Sequence, residues 1–467
     1  MHASCVRKGK RLPKQTSAVA LSSFIQHVRW FSRPRLIALF WMGAVITVIV
    51  MACVGPVGWD VAPRWKAIQA VHHGSDPYVE ELAALQAWFH NRSASNPAEH
   101  PPFVYGYSPL TLPLLRVLAV FPGWLLGLLC WAAIATGAGL QLWAGFQMAD
   151  RRERRWLALI LPAITFFPGL ITDDAILSGN LVYLLYGVVL AAAPAGWKRG
   201  RWSWYYIAVL AASVFKLPFL ALLAFPVLVD RRQWLRSGMT AIAGVLIFAS
   251  QMRLWPSMFR EYLLTLRLML DTGNSFGFGP AGTLGRALWI RGLPFSSATT
   301  IVYLVFACVV GIVLLFLARR VREWDLPRET WIPIALMGTF LLNPRIMKYD
   351  IAAITVPMLL IGWRALRLAL DGPADERLGD NTPGTGQHGS KRTLILVASA
   401  CFLVPNVITV AGPTWVPEEP VRLVVLLAIF TMGIWSLYQS RPEVQPQAAP
   451  KRTRVEDPRE ALVEQEL

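Results

Sequence analysis

Long apolar runs alternate with short polar connectors along most of the chain. A helix needs about 20 apolar residues to cross the hydrocarbon core of a bilayer, so such runs predict transmembrane helices. The runs fall at about 36–57, 124–147, 156–172, 176–194, 203–229, 237–252, 299–318, 331–342, 350–366, 393–411 and 421–438. The pattern predicts an all-α, polytopic integral membrane protein with about twelve transmembrane helices, counting the run at 203–229 as two.

The run at 203–229 has basic clusters on both sides, at 197–201 and 230–236. Because Lys and Arg mark cytoplasmic connectors, one straight helix would place the second cluster on the wrong side of the membrane. Lys216-Leu217-Pro218 interrupts the run in its middle, and proline disfavours a helix that continues across it. We therefore expect two short helices that meet near the outer face at Lys216.

The distribution of charge predicts the orientation in the membrane. Lys and Arg number 45 against 28 Asp and Glu, and their clusters between apolar runs act as topology signals. The clusters predict cytoplasmic tails at 1–35 and 439–467, the second of them disordered, around a transmembrane domain at 36–438. The large loops at 58–122 and 253–297 are then extracytoplasmic, and the expected location is the cell (plasma or inner) membrane.

Composition excludes several classes of protein. Hydrophobic residues make up 55% of the chain and charged residues only 16%, whereas soluble domains carry roughly 25% charged residues. A soluble enzyme, a disordered chain and a disulfide scaffold are thereby excluded. A net charge of +17 would suggest nucleic acid in a soluble protein. Here the basic residues lie between apolar runs, so membrane lipid is the expected partner and nucleic acid is not.

The first outer loop carries the most promising chemistry. Asp60 lies just beyond the first predicted span, at the boundary between lipid and water. A carboxylate there is suited to act as a general base on a substrate carried by a lipid. The alternative interpretation is an aspartate that caps a helix at the membrane surface.

Motifs in this loop follow an order known from one family. Asp60 after the first span, Gly74-Ser75-Asp76-Pro77-Tyr78, and the segment Phe103 to Pro109 that contains Tyr105 and Tyr107 together resemble the polyprenyl-phosphate-mannose-dependent mannosyltransferase family, glycosyltransferase family 87 of the GT-C superfamily. Three downstream elements also resemble that family: Ser178-Gly179-Asn180, Lys216-Leu217-Pro218 and Asn343-Pro344 through Tyr349.

The resemblance implies a multi-pass hexosyltransferase of GT-C type with large outer loops. It implies transfer of a hexose, mannose first, from a polyprenyl-phosphate sugar to an extracytoplasmic or lipid-linked acceptor. The family's catalytic aspartate carries over to Asp60, as the base that deprotonates the acceptor hydroxyl. The motif residues Asp76, Tyr78, Tyr105 and Tyr107 are then expected to bind the substrate.

Three basic residues are candidates for the phosphate of a lipid substrate. A charge inside a membrane segment costs roughly 2.5–3.5 kcal/mol on insertion scales, so Lys216 at its break calls for a polar partner. Arg345 and Lys348 flank an outer loop next to Asp350 and could clamp a phosphate. The alternatives are a lysine that extends to the interface and pairing of the outer-loop residues with lipid headgroups.

No cofactor or metal is firmly indicated. Asp173 and Asp174 are adjacent carboxylates on an outer turn, and oxygen ligands of this kind could hold a divalent cation; simple solvation is the alternative. The polyprenyl-phosphate sugar is expected as a donor substrate, not as a cofactor. The alternative function is a transporter or flippase for a lipid-linked glycan, or another non-catalytic membrane protein. Such a protein would have the same transmembrane helices but no catalytic base.

Overall fold

The computed structural model of the protein describes residues 42, 60–91, 102, 104–155, 157, 178–271, 277–291, 293, 297–371 and 418–440. Within these residues all regular secondary structure is helical, as the sequence predicts. The predicted spans at 36–57, 156–172 and 393–411 lie outside the described residues, except for Met42 and Leu157. Both tails, except for Gln439 and Ser440, and Asp173–Asp174 also lie outside them.

The described part contains the following α-helices in chain order: α1 Val61–His72, α2 Pro77–Asn91, α3 Leu112–Leu118, α4 Gly123–Met148, α5 Val182–Arg199, α6 Ser203–Phe215, α7 Ala224–Val229, α8 Trp234–Leu254, α9 Pro256–Asp271, α10 Pro280–Ile290, α11 Ser297–Glu323, α12 Arg328–Leu341, α13 Thr355–Asp371 and α14 Glu418–Gln439. Short 3₁₀ helices precede several of them, at Pro109–Thr111, Leu217–Leu223, Arg231–Gln233 and Lys348–Ile354.

Five helical segments in the described residues are long and apolar enough to cross a membrane. They are Gly123–Met148, Arg231–Leu254, Ser297–Glu323, Tyr349–Leu368 and Pro420–Gln439. Each coincides with a span expected from the sequence. The membrane character of the chain is therefore confirmed.

The surfaces of these helices support the same conclusion. In α11, Ile301, Leu304 and Ile312 are more than half exposed, and large exposed apolar patches on a helical bundle indicate contact with lipid or a partner. By contrast, α12 is buried along its whole length from Trp331 to Leu341. A helix that is apolar all round belongs in the centre of a bundle, so α12 forms the core around which the other helices pack.

Helices α4 and α5 approach each other closely through two glycines. A Cβ on Gly137 would lie 2.7 Å from the Tyr183 carbonyl oxygen, and one on Gly187 would lie 2.7 Å from the Gly137 carbonyl oxygen. Small residues allow this contact between backbones inside a membrane. The contact fixes the start of α5, and the turn before it, against α4.

The run at 203–229 breaks at Lys216, as expected from the sequence. α6 ends at Phe215, and Lys216 has an extended backbone (φ −144°, ψ 109°) before the 3₁₀ helix begins. The Tyr205 hydroxyl donates to the Leu222 carbonyl oxygen over 2.8 Å, and the Trp202 and Phe225 rings lie 5.8 Å apart. The two halves therefore form a hairpin whose open ends lie together.

The basic connectors gather at one end of the bundle. Lys198 Nζ donates to Gln147 Oε1 over 2.9 Å, and Arg328 donates to the Trp197 carbonyl oxygen. Arg322 interacts electrostatically with Arg231. The connectors after α4, α5, α7 and α11 thus share one end, and the tip of the hairpin at Lys216 lies away from it.

At this basic end one guanidinium joins three parts of the chain. Arg364 binds both carboxylate oxygens of Glu153, at 2.8 and 2.9 Å, and also the carbonyl oxygens of Met148, Glu329 and Thr330. The Glu153 side chain is only 3% exposed. This pair therefore fastens the end of α4 to the start of α12.

We expect Arg364→Met to lower the free energy of unfolding by about 3–5 kcal/mol, because it leaves the buried Glu153 carboxylate without its partner. The matched control is Arg367→Met. Arg367 pairs with Asp150 over 3.3 Å at an exposed position, where the loss is about 0–1 kcal/mol. Denaturant unfolding of the purified protein in detergent measures both; equal losses would contradict the role assigned to the buried pair.

Candidate functional site

Asp60 is held by the turn that precedes α5. Its backbone N–H donates to the Ser178 carbonyl oxygen over 3.1 Å, and its Oδ2 accepts a hydrogen bond from Asn180 Nδ2 over 2.7 Å. Asp60 occupies the N-cap position of α1, but its side chain makes no capping hydrogen bond. Asp60 therefore has the position of a helix cap, as the alternative interpretation expects, but its carboxylate does not cap the helix.

The turn at Ser178-Gly179-Asn180 corrects one expectation. The predicted span 176–194 begins later, at Val182, because Gly179 has a positive φ of 72° and interrupts the helix. Asn180 Oδ1 then accepts the Val182 backbone N–H over 2.9 Å and starts α5. The same asparagine thus caps one helix and holds the Asp60 carboxylate.

Arg64 is a central residue of the site that the sequence analysis did not single out. Its guanidinium donates to the Gly179 carbonyl oxygen over 2.7 Å and to the Tyr107 hydroxyl over 3.1 Å. The Tyr107 hydroxyl in turn donates to Asn180 Oδ1 over 3.4 Å. Asp60, Arg64, Tyr107 and Asn180 therefore form one polar network. Its sequence signal was the spacing of four residues between Asp60 and Arg64, which places both on one face of a helix.

The predicted phosphate-binding residues lie beside this network. Lys216 Nζ lies 3.9 Å from Asp350 Oδ1 and 4.0 Å above the centre of the Tyr349 ring. Both Asp60 and Arg345 interact electrostatically with Lys216. The structure thus brings together three candidates, Asp60, Lys216 and Arg345, from distant parts of the sequence.

Arg345 retains hydrogen-bonding capacity. Its backbone N–H donates to Asn343 Oδ1 over 3.0 Å, which fixes the loop, whereas its side-chain Nε is buried and has no hydrogen-bond partner among the described residues. Of Lys348 only the backbone is described, at the start of Lys348–Ile354. Its predicted role in binding phosphate stays a prediction.

The tyrosines of the loop motifs are buried, and two of them, Tyr78 and Tyr105, make hydrogen bonds that hold the segment around Tyr107 in place. The Tyr78 hydroxyl donates to the Tyr107 carbonyl oxygen over 2.7 Å, and the Tyr105 hydroxyl shares a hydrogen bond with Thr111 Oγ1 over 2.6 Å. Tyr78 also packs its ring 5.6 Å from that of Tyr262 in α9, and this contact joins the loops at 58–122 and 253–297. Of the three motif tyrosines, Tyr107 is the one whose hydroxyl enters the Asp60 network.

Asp76 shapes the backbone in the same loop. Its Oδ1 accepts the Tyr78 backbone N–H over 2.9 Å, at the point where Pro77 begins α2, as is typical of a helix cap. Burial raises the pKa of this carboxyl above its usual value. The role of Asp76 in contacting a substrate stays a prediction. Within the described residues no three His, Cys, Asp or Glu side chains gather as a metal site, and Asp173–Asp174 lie outside them.

An apolar cavity of about 280 Å³ opens beside Arg64, and we call it the leucine cavity. Arg64 and Tyr107 contribute to its lining, which is apolar nearly throughout, and Phe215, the neighbour of Lys216, closes one side. Its leucine walls come from α3, α4 and the start of α5: Leu114, Leu115, Leu118, Leu126, Leu129, Leu181, Leu184 and Leu185. The polar network therefore adjoins a space suited to a hydrocarbon chain.

Glu81 is a half-buried residue whose carboxyl group contacts the backbone of Tyr105. The Tyr105 backbone N–H donates to its Oε1 over 2.5 Å, and its Oε2 has no partner among the described residues. Burial raises the pKa of Glu81 from 4.5 to about 8, although the hydrogen bond from Tyr105 acts in the opposite direction. In the folded protein this side chain is therefore largely protonated at neutral pH.

A protonated native Glu81 predicts a specific dependence of stability on pH. Between pH 4.5 and about 8 the folded state holds a proton that the unfolded state has lost, so stability falls as the pH rises through this window. Glu81→Gln keeps the acceptor for Tyr105 and cannot ionise. We expect the difference in stability between this variant and the parent to grow in favour of the variant from pH 5 to about 8 and to stay constant at higher pH. Thermal unfolding at a series of pH values measures the difference, and a constant difference would exclude the buried proton.

No family model, no curated protein and no solved structure matches the chain. The resemblance to the mannosyltransferases therefore rests on the motif residues themselves, and the site is interpreted from its own geometry.

Proposed function

We propose that the protein is an integral membrane glycosyltransferase of GT-C type. It transfers a hexose, with mannose the first candidate, from a polyprenyl-phosphate sugar to an extracytoplasmic or lipid-linked acceptor. The proposal is supported by the electrostatic interactions of Lys216 with Asp60 and Arg345, together with the hydrogen bond from Asn180 that orients the Asp60 carboxylate. A carboxylate base beside two cations matches the needs of sugar transfer from a lipid phosphate.

The proposed topology has about twelve crossings, with both chain ends in the cytoplasm of a cell carrying the protein in its plasma or inner membrane. Support comes from the basic connectors, which gather at the end of the bundle away from Lys216. Connectors rich in Lys and Arg favour the cytoplasmic side. The site at Asp60 then opens on the extracytoplasmic side, where a lipid-linked donor presents its sugar.

The proposed reaction is a displacement at the anomeric carbon of the donor sugar. The acceptor hydroxyl oxygen attacks this carbon while the bond to the phosphate oxygen breaks, and polyprenyl phosphate leaves with the electron pair. Asp60 accepts the proton of the acceptor hydroxyl as a general base. Lys216 and Arg345 stabilise the negative charge on the departing phosphate.

Asn180 prepares the base for this role. It fixes Asp60 Oδ2 by a hydrogen bond of 2.7 Å, while no described residue donates a hydrogen bond to Oδ1. In the proposed reaction the second oxygen, Oδ1, accepts a hydrogen bond from the hydroxyl group of the acceptor. A base whose orientation is fixed in advance loses less entropy when the substrate arrives.

Asp60→Asn should lower kcat by about 10²- to 10⁴-fold, the typical worth of a positioned base. The substitution keeps the size of the side chain and removes its basicity, so donor binding should change little. Turnover of a panel of polyprenyl-phosphate sugars by the purified protein measures both. The matched control is Asp76→Asn, which weakens the cap of α2 and should act through stability. An Asp60→Asn protein that turns over within a few-fold of the parent contradicts the assignment of the base.

The same panel separates the transferase from a transporter or flippase. A carrier moves its lipid without making a glycosidic bond, so no new glycoside would form under any condition. Glycoside formed by the parent protein and lost in Asp60→Asn supports the transferase.

Lys216→Met and Arg345→Met should each raise the KM for the lipid donor. One charge-assisted contact is worth roughly 1.5–3 kcal/mol, or about ten- to a hundredfold in binding. Lys198→Met is the matched control, because Lys198 pairs with Gln147 at the opposite end of the bundle. Thermal unfolding confirms that each variant is folded. Unchanged donor kinetics in both variants would remove these cations from the site.

A further inference from the structure

The loop that carries Arg345 is held by a segment from another part of the chain. Residues 343–347 lie between α12 and the following 3₁₀ helix and belong to neither, so the shape of this loop depends on its tertiary contacts. The Phe278 backbone N–H donates to the Ile346 carbonyl oxygen over 2.6 Å. This hydrogen bond joins segments that are about 70 residues apart in the chain, and it lies one residue from Arg345.

Gly277 makes this approach of the two backbones possible. It has a positive φ of 73°, which residues with a side chain rarely adopt. A Cβ at this position would also overlap the carbonyl oxygen of Ile346. Both the backbone conformation and the close contact therefore require glycine at 277.

The two segments run antiparallel along their backbones. Gly277 meets Ile346, and a Cβ on Gly279 would lie 3.7 Å from the Pro344 carbonyl oxygen. Since positions rise along one segment while they fall along the other, Phe278 stands opposite the arginine between the two carbonyl groups. We call residues 277–279 the backing segment.

The backing segment is itself anchored in the helical bundle. The Phe278 side chain is only 2% exposed, and the guanidinium carbon of Arg422 in α14 lies 5.0 Å from the centre of its ring, as in a cation–π contact. On the other side of the loop, Asn343 Oδ1 accepts the Arg345 backbone N–H over 3.0 Å. Two independent contacts therefore fix the backbone around Arg345.

We propose that Gly277 and Phe278 are positioning residues for Arg345, which hold its loop in the geometry that binds the phosphate of the donor. This inference rests on the proposed function and extends its phosphate site to the segment that supports it. Neither positioning residue contacts the phosphate in this assignment. They act by fixing the cation before the donor arrives, which lowers the entropy lost on binding.

Equilibrium binding of farnesyl phosphate, a short polyprenyl phosphate, to the full-length protein in lipid nanodiscs tests the proposal. Gly277→Ala should raise the Kd about tenfold, as expected when one charge-assisted contact is lost. Farnesol has the same chain without the phosphate, so its binding should not change. Gly200→Ala is the matched control: Gly200 also has a positive φ, of 70°, but a Cβ there meets nothing within 4 Å, and it follows α5 at the basic end of the bundle.

A double-mutant cycle shows whether the effect passes through Arg345. In an Arg345→Met background, Gly277→Ala should weaken the binding of farnesyl phosphate no further, because the residue that it positions is absent. A second full tenfold loss in that background would overturn the proposal, since the damage would then be independent of Arg345. An unchanged Kd in Gly277→Ala alone would also overturn it.

Phe278→Leu is a milder variant for the case in which Gly277→Ala does not fold. It keeps the backbone hydrogen bond to Ile346 and loses the ring contact with Arg422, so the Kd should rise about two- to fivefold. The same absence of a further effect is expected in the Arg345→Met background. An unchanged Kd in Phe278→Leu would likewise count against the positioning role.

Turnover separates this inference from the proposed function. A parent protein that binds farnesyl phosphate but forms no glycoside from any donor contradicts the transferase, while weaker binding in Gly277→Ala still supports the positioning role. A parent protein that forms glycoside, together with a Gly277→Ala variant of unchanged Kd and KM for the donor, overturns the positioning role alone.

Discussion

The structure of the site depends on one buried cation, the guanidinium of Arg64. A charge in apolar surroundings is costly unless it is hydrogen-bonded, and the two terminal nitrogens of Arg64 donate to groups from two distant segments, at Gly179 and Tyr107. These bonds hold the segment that contains α1 and Tyr107 against the turn before α5. Asp60, on the same helix as Arg64, is thereby brought within reach of Asn180. The position of the Asp60 carboxylate thus depends on the hydrogen bonds of one buried arginine.

Local signals in the sequence predicted the elements well. Runs of apolar residues located five long membrane helices because their length and uniformity depend on neighbouring residues only. The break at Lys216 was also predictable, since proline interrupts a helix through its effect on the adjacent backbone. The start of α5 was misplaced because the positive φ of Gly179 follows from the contacts of the turn, which no apolar pattern expresses. Likewise, the sequence of the segment at 58–122 did not predict the helices α1 and α2.

The candidate site was predictable only in part. Asp60, Lys216 and Arg345 stood out as charges at the edges of apolar runs, which is a local property. Arg64 and Asn180 did not, because their importance comes from contacts that span more than a hundred residues. Glu81 was hidden for a similar reason: its burial results from the packing of α2 on the segment at Tyr105. Residues whose role is created by tertiary contacts cannot be recognised from their neighbours in the chain.

The hairpin at Lys216 has a consequence for biosynthesis. Its ion-pair partner Asp350 follows about 130 residues later in the chain, which a ribosome needs on the order of ten seconds to add. During this interval the hairpin carries an uncompensated ammonium group, so its insertion has to rely on the membrane interface, on water or on the insertion machinery. Once Asp350 has been synthesised, its carboxylate can pair with Lys216 and neutralise this charge.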